Sequence, residues 1–83
     1  MAITITTEIT EPTSGTEVQG AVTLKVHAVS STHIKMVDVN MDGGLWNHCT
    51  FVEGSDTDQR WEYSWDTSEL ANRSYVIGAR TLV

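Results

Sequence analysis

Eighty-three residues carry eleven acidic against five basic side chains, a formal charge of −6, so a phosphate backbone and an anionic lipid surface are both disfavoured as partners. A chain of this length makes one domain, spanning 1–83, and hides roughly 60 to 65% of its unfolded surface, too little for a deep catalytic cleft. No apolar run approaches the roughly 20 residues of a membrane-spanning helix, so no membrane insertion is expected.

The first predicted strand is Thr-rich, marked by Ile3, Ile5 and Ile9 and ended by Pro12, which cannot donate to a ladder. Alternation begins directly behind Met1 with no basic then apolar leader, which predicts either a cytosolic chain or a piece of a longer exported one. Ser14-Gly15 and Gly20 bracket a short connection. Val22, Leu24, Val26 and Ala28 then alternate with Thr23, Lys25 and His27, the cleanest half-buried strand in the chain. Ser30-Ser31-Thr32 makes a polar turn, and the change of phase between Ile34 and Val37 predicts a loop residue packing down before the strand of Val37, Val39 and Met41.

Asp42-Gly43-Gly44 reads as a hairpin turn, with one returning strand from Leu45 to Val52. Glu53 to Arg60 is expected as a polar loop. Trp61, Tyr63 and Trp65 share one face of the next strand, Asp66-Thr67-Ser68 turns the chain, and Leu70 followed by Tyr75 fits a packed corner leading to a last strand of Tyr75, Ile77 and Ala79. Six or seven short strands with a turn about every ten residues predict an antiparallel β-sandwich.

The run Ile9-Thr-Glu-Pro12, Gly15, Val18-Gln-Gly20, the strand Val22 to Ala28, Val37-x-Val39-x-Met41-Asp42-Gly43, and Trp65-Asp66-Thr67 through Leu70, Asn72 and Ser74-Tyr75 together resemble the bacterial immunoglobulin-like modules of exported multidomain proteins. The resemblance covers about Ile9 to Ala79 and implies an Ig-like all-β sandwich, found outside the cell or on its surface. It further implies a role as spacer, stabilising partner or adhesive unit beside other domains. Two departures stand out. Arg73 occupies a place where the family usually has Gly, and the family pattern continues into a final strand that this sequence, ending at Val83, lacks.

Without that strand the edge beside Tyr75, Ile77 and Ala79 is expected to offer unpaired backbone groups. Either the chain is a fragment that stops short, or a neighbouring chain or module supplies the strand, as in donor-strand complementation, with Ile3 to Thr10 a suitable donor arm. The expected partners are therefore neighbouring domains, like modules or further copies joined through an open β-edge, and the isolated chain is expected to self-associate or to be marginally stable.

Other candidates for chemistry compete with plainer structural roles. Trp46 and Trp61, near strand ends, are the candidates for stacking sugar rings, and a polysaccharide partner for an accessory module of a secreted hydrolase is the alternative reading. Glu53, Asp56 and Asp58 are the candidates for calcium, although the loop lacks the length and closing Glu of an EF-hand. His27, His33, His48 and Cys49 lack the close pairing of zinc ligands, and Cys49, sharing parity with Leu45 and Phe51, reads as a buried inert thiol. The lone cysteine leaves the redox compartment open.

Neither catalysis nor a cofactor is expected. No Ser lies in a strand-to-helix elbow, and the acid pairs Asp38 with Asp42 and Glu62 with Asp66 are assigned to solvated outer faces. Asn72-Arg73-Ser74 has the form of a glycosylation acceptor, with a plain turn as the simpler role.

Overall fold

The strongest alternation in the sequence becomes the spine of the molecule. In the computed structural model, which describes residues 2–13, 15, 17–68 and 74–83, Leu24, Val26, Ala28 and Ser30 all point inward from strand β2 (Ala21–Ser30) and are buried. A pleated strand separates successive side chains to opposite faces, so this run buries one face and leaves Lys25 and Val29 outside. β2 is flanked on one side by β1 (Ile5–Glu11) and on the other by β6 (Asp58–Asp66), with β5 (Thr50–Gly54) beyond it. A second sheet of three strands, β4 (Asn47–His48), β3 (Met36–Met41) and β7 (Ile77–Leu82), lies in the order β4-β3-β7. Each neighbouring pair is antiparallel.

This is the all-β, two-sheet sandwich that the periodicity predicts. Between the sheets Leu24, Val26 and Ala28 of β2 meet Val37 and Val39 of β3, with Ile34, Cys49 and Trp65 completing the buried cluster. Ile34 packs down ahead of its strand, as its phase predicts, anchored by its N–H donating to the Asp56 carbonyl at 2.9 Å. The aromatic strand is longer than expected and its three rings face the core: Trp61, Tyr63 and Trp65 lie opposite Val26, Leu24 and Val22. Trp65 meets Tyr75 edge-on at 5.8 Å between ring centroids, which ties the segment before β7 to β6. Leu70, expected at that corner, and the Asn72-Arg73-Ser74 sequon fall wholly or partly outside the described residues.

Three turn assignments have direct physical causes. Asp42 and Gly43 both adopt positive φ, 54° and 71°, and the Gly44 N–H donates to the Met41 carbonyl at 3.0 Å, the arrangement of a type I′ turn. After β6, Ser68 N–H donates to the Asp66 carboxylate at 3.0 Å. Thr67 then locks the corner, with both its N–H and its hydroxyl donating to the Gly20 carbonyl.

The single returning strand expected from Leu45 to Val52 is instead two strands in different sheets. Asn47–His48 pairs with β3, the chain passes Cys49, and Thr50–Gly54 pairs with β6. Cys49 N–H still donates to the Val37 carbonyl at 2.9 Å, so the crossing happens at the core with no backbone donor lost there. Likewise the polar loop expected from Glu53 to Arg60 contracts, because β5 runs to Gly54 and β6 begins at Asp58. Leu45, read as sharing an inward parity with Cys49, is 89% exposed. It precedes the strand, where alternation has no hold.

Leu24→Ala should therefore cost about 3 kcal/mol of unfolding free energy, as a fully buried Leu truncation does. Leu45→Ala should change it by less than about 0.5 kcal/mol. Urea denaturation of the two variants checks the contrast.

Candidate interaction surface

On β3 four consecutive residues, Val37, Asp38, Val39 and Asn40, are all buried. The valines face the core. Asp38 and Asn40 are on the opposite, outer face, where a sandwich of two layers has nothing further to bury them, so their cover must come from neighbours in the same sheet. Asp38 lies between His48 and Arg80, its direct cross-strand partners on β4 and β7. Its Oδ1 is 2.6 Å from His48 Nδ1, and its Oδ2 accepts from Arg80 Nε and Nη2, both at 3.0 Å. The carboxylate has no exposed surface at all.

Trp46 closes this group. The Arg80 guanidinium carbon lies 4.3 Å from the centre of the Trp46 ring, a cation over an aromatic face. The same indole reaches the backbone of β7 at Gly78, where an added Cβ would meet Trp46 Cη2 at 3.8 Å and Asn40 Oδ1 at 2.3 Å. Gly78 is thus the place where a side chain is missing so that Asn40 and Trp46 can lie across the sheet. The outer face of the three-stranded sheet is therefore a row of cross-strand pairs, Met36 with Leu82, Asp38 with Arg80, and Asn40 with Gly78, capped by one tryptophan.

Asp38 is the residue that sequence reasoning misplaced. Alternation correctly sent it to the outer face, but burial there comes from Trp46, Arg80 and His48, far from it along the chain. Its distant partner left a faint trace: Arg80 is the one basic residue in the last predicted strand.

The other predicted site residues are scattered. Trp61 faces the inter-sheet space on the opposite sheet from Trp46, edge-on to Phe51 at 5.6 Å, with its indole N–H donating to Gln59 at 2.9 Å. The two tryptophans share no groove. Glu53, Asp56 and Asp58 face three separate basic side chains, Arg60 at 3.9 Å, His33 at 3.6 Å and His27 at 2.7 Å. Among the described residues no three acidic, His or Cys side chains are grouped to hold a metal ion. The outer face of the four-stranded sheet holds an open groove of about 440 Å³ lined by Glu11, Lys25, Glu53, Arg60 and Glu62 among others, in which the Lys25–Glu11 and Arg60–Glu53 pairs, at 3.5 and 3.9 Å, already match charge with charge.

The predicted edge residues are brought together in part. Tyr75 precedes β7 and packs against Trp65, whereas Ile77 and Ala79 lie in the strand. β7 is the last strand of its sheet. The Asp42 N–H donates to the Val76 carbonyl and Lys35 N–H to the Leu82 carbonyl, so the backbone groups of even-numbered residues turn toward β3. By antiparallel alternation those of Ile77, Ala79 and Thr81 turn the other way, to the open side. Their side chains face inward, and Thr81 Oγ1 lies 2.7 Å from Thr7 Oγ1 of β1, fastening one sheet to the other.

Asp66 and Cys49 titrate away from their ordinary range. Asp66 is held below it by the Ser68 hydrogen bonds. Cys49 is pushed up from 9.0 to about 11, first by desolvation and then by the nearby Asp38 charge, so the thiol is protonated and poorly nucleophilic at neutral pH.

A family model described as a bacterial Ig domain matches residues 6–79. Among solved structures, a chain of the sulfane dehydrogenase SoxCD from Paracoccus pantotrophus superposes on 95% of this chain with a TM-score of 0.77 and 20% identity. This chain spans 21% of that one, and at such identity the likeness is one of fold. No curated protein matches the sequence.

Arg80→Ala leaves a buried carboxylate without its bidentate partner and should cost about 3 kcal/mol, whereas Asp38→Leu with Arg80→Leu together should cost distinctly less; chemical denaturation of both variants decides. For Cys49, the unfolded chain releases the thiol proton from about pH 9 while the folded chain holds it to about pH 11. Stability should therefore fall as pH rises through that window, and the part of the fall due to this group should vanish in Cys49→Ala.

Proposed function

The chain belongs to the bacterial Ig domain family, and from that premise we propose that it works as a noncatalytic module of an extracellular or cell-surface multidomain protein, docking to neighbours through the outer edge of β7. Members of this family are typically modules rather than enzymes, which suits a sandwich whose polar clusters are already matched internally. The observation that carries the reading is the alternation on β7: among the described residues, no strand of its sheet pairs with the backbone groups of Ile77, Ala79 and Thr81. An exposed row of donors and acceptors accepts an added strand, with main-chain hydrogen bonds supplying the affinity.

The same features favour this role over sugar docking. Two aromatic platforms on one surface would support stacking, but Trp61 lies inside and Trp46 already has Arg80 against its ring. The charge balance points the same way. The outer face of the four-stranded sheet carries Glu8, Glu11, Glu62 and Asp66, while the charge at the centre of the three-stranded face is neutralised within the Asp38–Arg80 pair. The face with fewer carboxylates is the one bordered by the edge of β7.

Amide hydrogen exchange performed in dilute solution and read residue by residue tests the edge directly. Ile77, Ala79 and Thr81 should exchange more than about tenfold faster than Gly78, Arg80 and Leu82, whose N–H groups face β3. Uniform protection along the strand would mean that the edge is already occupied and would sink the proposal.

A further inference from the structure

β1 and β5 flank the four-stranded sheet, and each carries one surplus residue at the same level. Thr10 stands between Ile9 and Glu11, which pair with Val26 and Lys25 of β2. Val52 stands between Phe51 and Glu53, which pair with Trp61 and Arg60 of β6. Val26 and Trp61 are themselves cross-strand partners, so the two irregularities lie on either side of one row of the sheet. A bulge bends its strand and re-aims a side chain. Thr10 and Val52 both line the open groove of about 440 Å³ on the outer face.

That groove gathers three carboxylates, Glu11, Glu53 and Glu62, and two cations, Lys25 and Arg60. Glu11 and Glu53, on the flanking strands, take the cations at 3.5 and 3.9 Å. Glu62 is left over. It is half-buried on β6, directly opposite Lys25 on one side and Thr50 on the other. Among the described residues its carboxylate nevertheless has no hydrogen bond or ion pair. The other carboxylates of this face are served differently. Asp58 lies 2.7 Å from His27, Asp66 accepts from the Ser68 N–H, and Glu8 stands exposed to water on β1.

We infer that this groove receives one basic side chain of a partner protein, with its cation on Glu62 and its hydrocarbon stem along Val52. One added positive charge balances the three carboxylates against three cations. A carboxylate that has already lost part of its hydration gains a charge-assisted hydrogen bond at little further desolvation. Val52 is 47% exposed and offers an apolar wall to the stem, since Lys and Arg cover apolar surface with their methylenes while the charged head stays among polar groups. The net charge of −6 draws a basic partner and opposes a second copy of this chain. The groove lies on the opposite sheet from β7, so the inference stands independently of the docking edge proposed above.

The probe is N-acetyl-lysine-N-methylamide, a lysine side chain without terminal charges, titrated at low salt into the isotopically labelled 83-residue chain and read by amide chemical shifts. Saturable shifts should gather at Lys25, Arg60, Trp61 and Glu62, with a dissociation constant on the order of 1 mM for so small a ligand, and should weaken as salt is added. The norleucine analogue, which keeps the stem and drops the charge, should not saturate these sites. Glu62→Gln should weaken binding by about tenfold or more. Glu8→Gln removes the same charge from the same face outside the groove and should change it by less than about twofold. Glu62→Ala repeats the test should Glu62→Gln fail to fold. The inference is overturned by the absence of saturable shifts, by equal binding of the norleucine probe, or by an equal loss in the Glu8 and Glu62 variants. Shifts spread along the whole acidic face overturn it too, because they report general attraction without a seat.

Discussion

The Asp38 carboxylate is the point on which the smaller sheet turns. It is fully buried on the outer face of that sheet, and each of its oxygens is held from a different neighbouring strand, by His48 on one side and Arg80 on the other. A charge taken out of water is costly unless its partners are close and well directed. The three strands of this sheet are therefore linked by an ion whose satisfaction depends on their relative register. A slip of β7 by one residue would send Arg80 to the inner face and leave Asp38 with His48 alone.

That pinning has a second effect, on the character of β7. A basic residue on an edge strand ordinarily guards it, because its charge must stay solvated and resists a neighbouring strand. Arg80 is drawn instead along the sheet to Asp38, with the Trp46 ring against its guanidinium. The same contact that gives the sheet its register thus also pairs the one charge on this strand. Gly78 extends the effect, since the absent side chain is what lets Asn40 and Trp46 spread over the outer face. Edge and face are consequences of one cluster.

Much of this fold was legible because its signals are local. β2 alternates over its whole length, Asp42-Gly43 asks for positive φ and receives it, and the phase change at Ile34 marks a residue that packs before its strand begins. The change of sheet at Cys49 was not legible. Asn47–His48 and Thr50–Gly54 continue one apparent strand, and nothing in a period of two distinguishes a strand that stays with β3 from one that leaves for β6. The burial of Asp38 was hidden for a related reason. Alternation reports which face a side chain takes, but cover on that face came from residues ten and forty-two positions away. Trp46 and Trp61 show the same limit: each is aromatic and near a strand end, yet one lies on the outer face over an arginine and the other between the sheets.

The acidic face and the neutral face bear differently on association. Copies of a chain with this much negative charge repel one another at any approach that brings their four-stranded sheets together, and the repulsion grows where the carboxylates of Glu8, Glu62 and Asp66 would have to lose water. At the three-stranded sheet the one buried carboxylate is already paired with Arg80, so an approaching strand strips water from no unpaired carboxylate there. Hydrogen bonds to the backbone of Ile77, Ala79 and Thr81 then replace bonds to water almost one for one, a modest net gain per bond. A surface of this kind favours reversible joining over tight complexes. It suits a module whose neighbours are held close by a shared chain or a shared surface, where effective concentration supplies what a six-residue strand cannot.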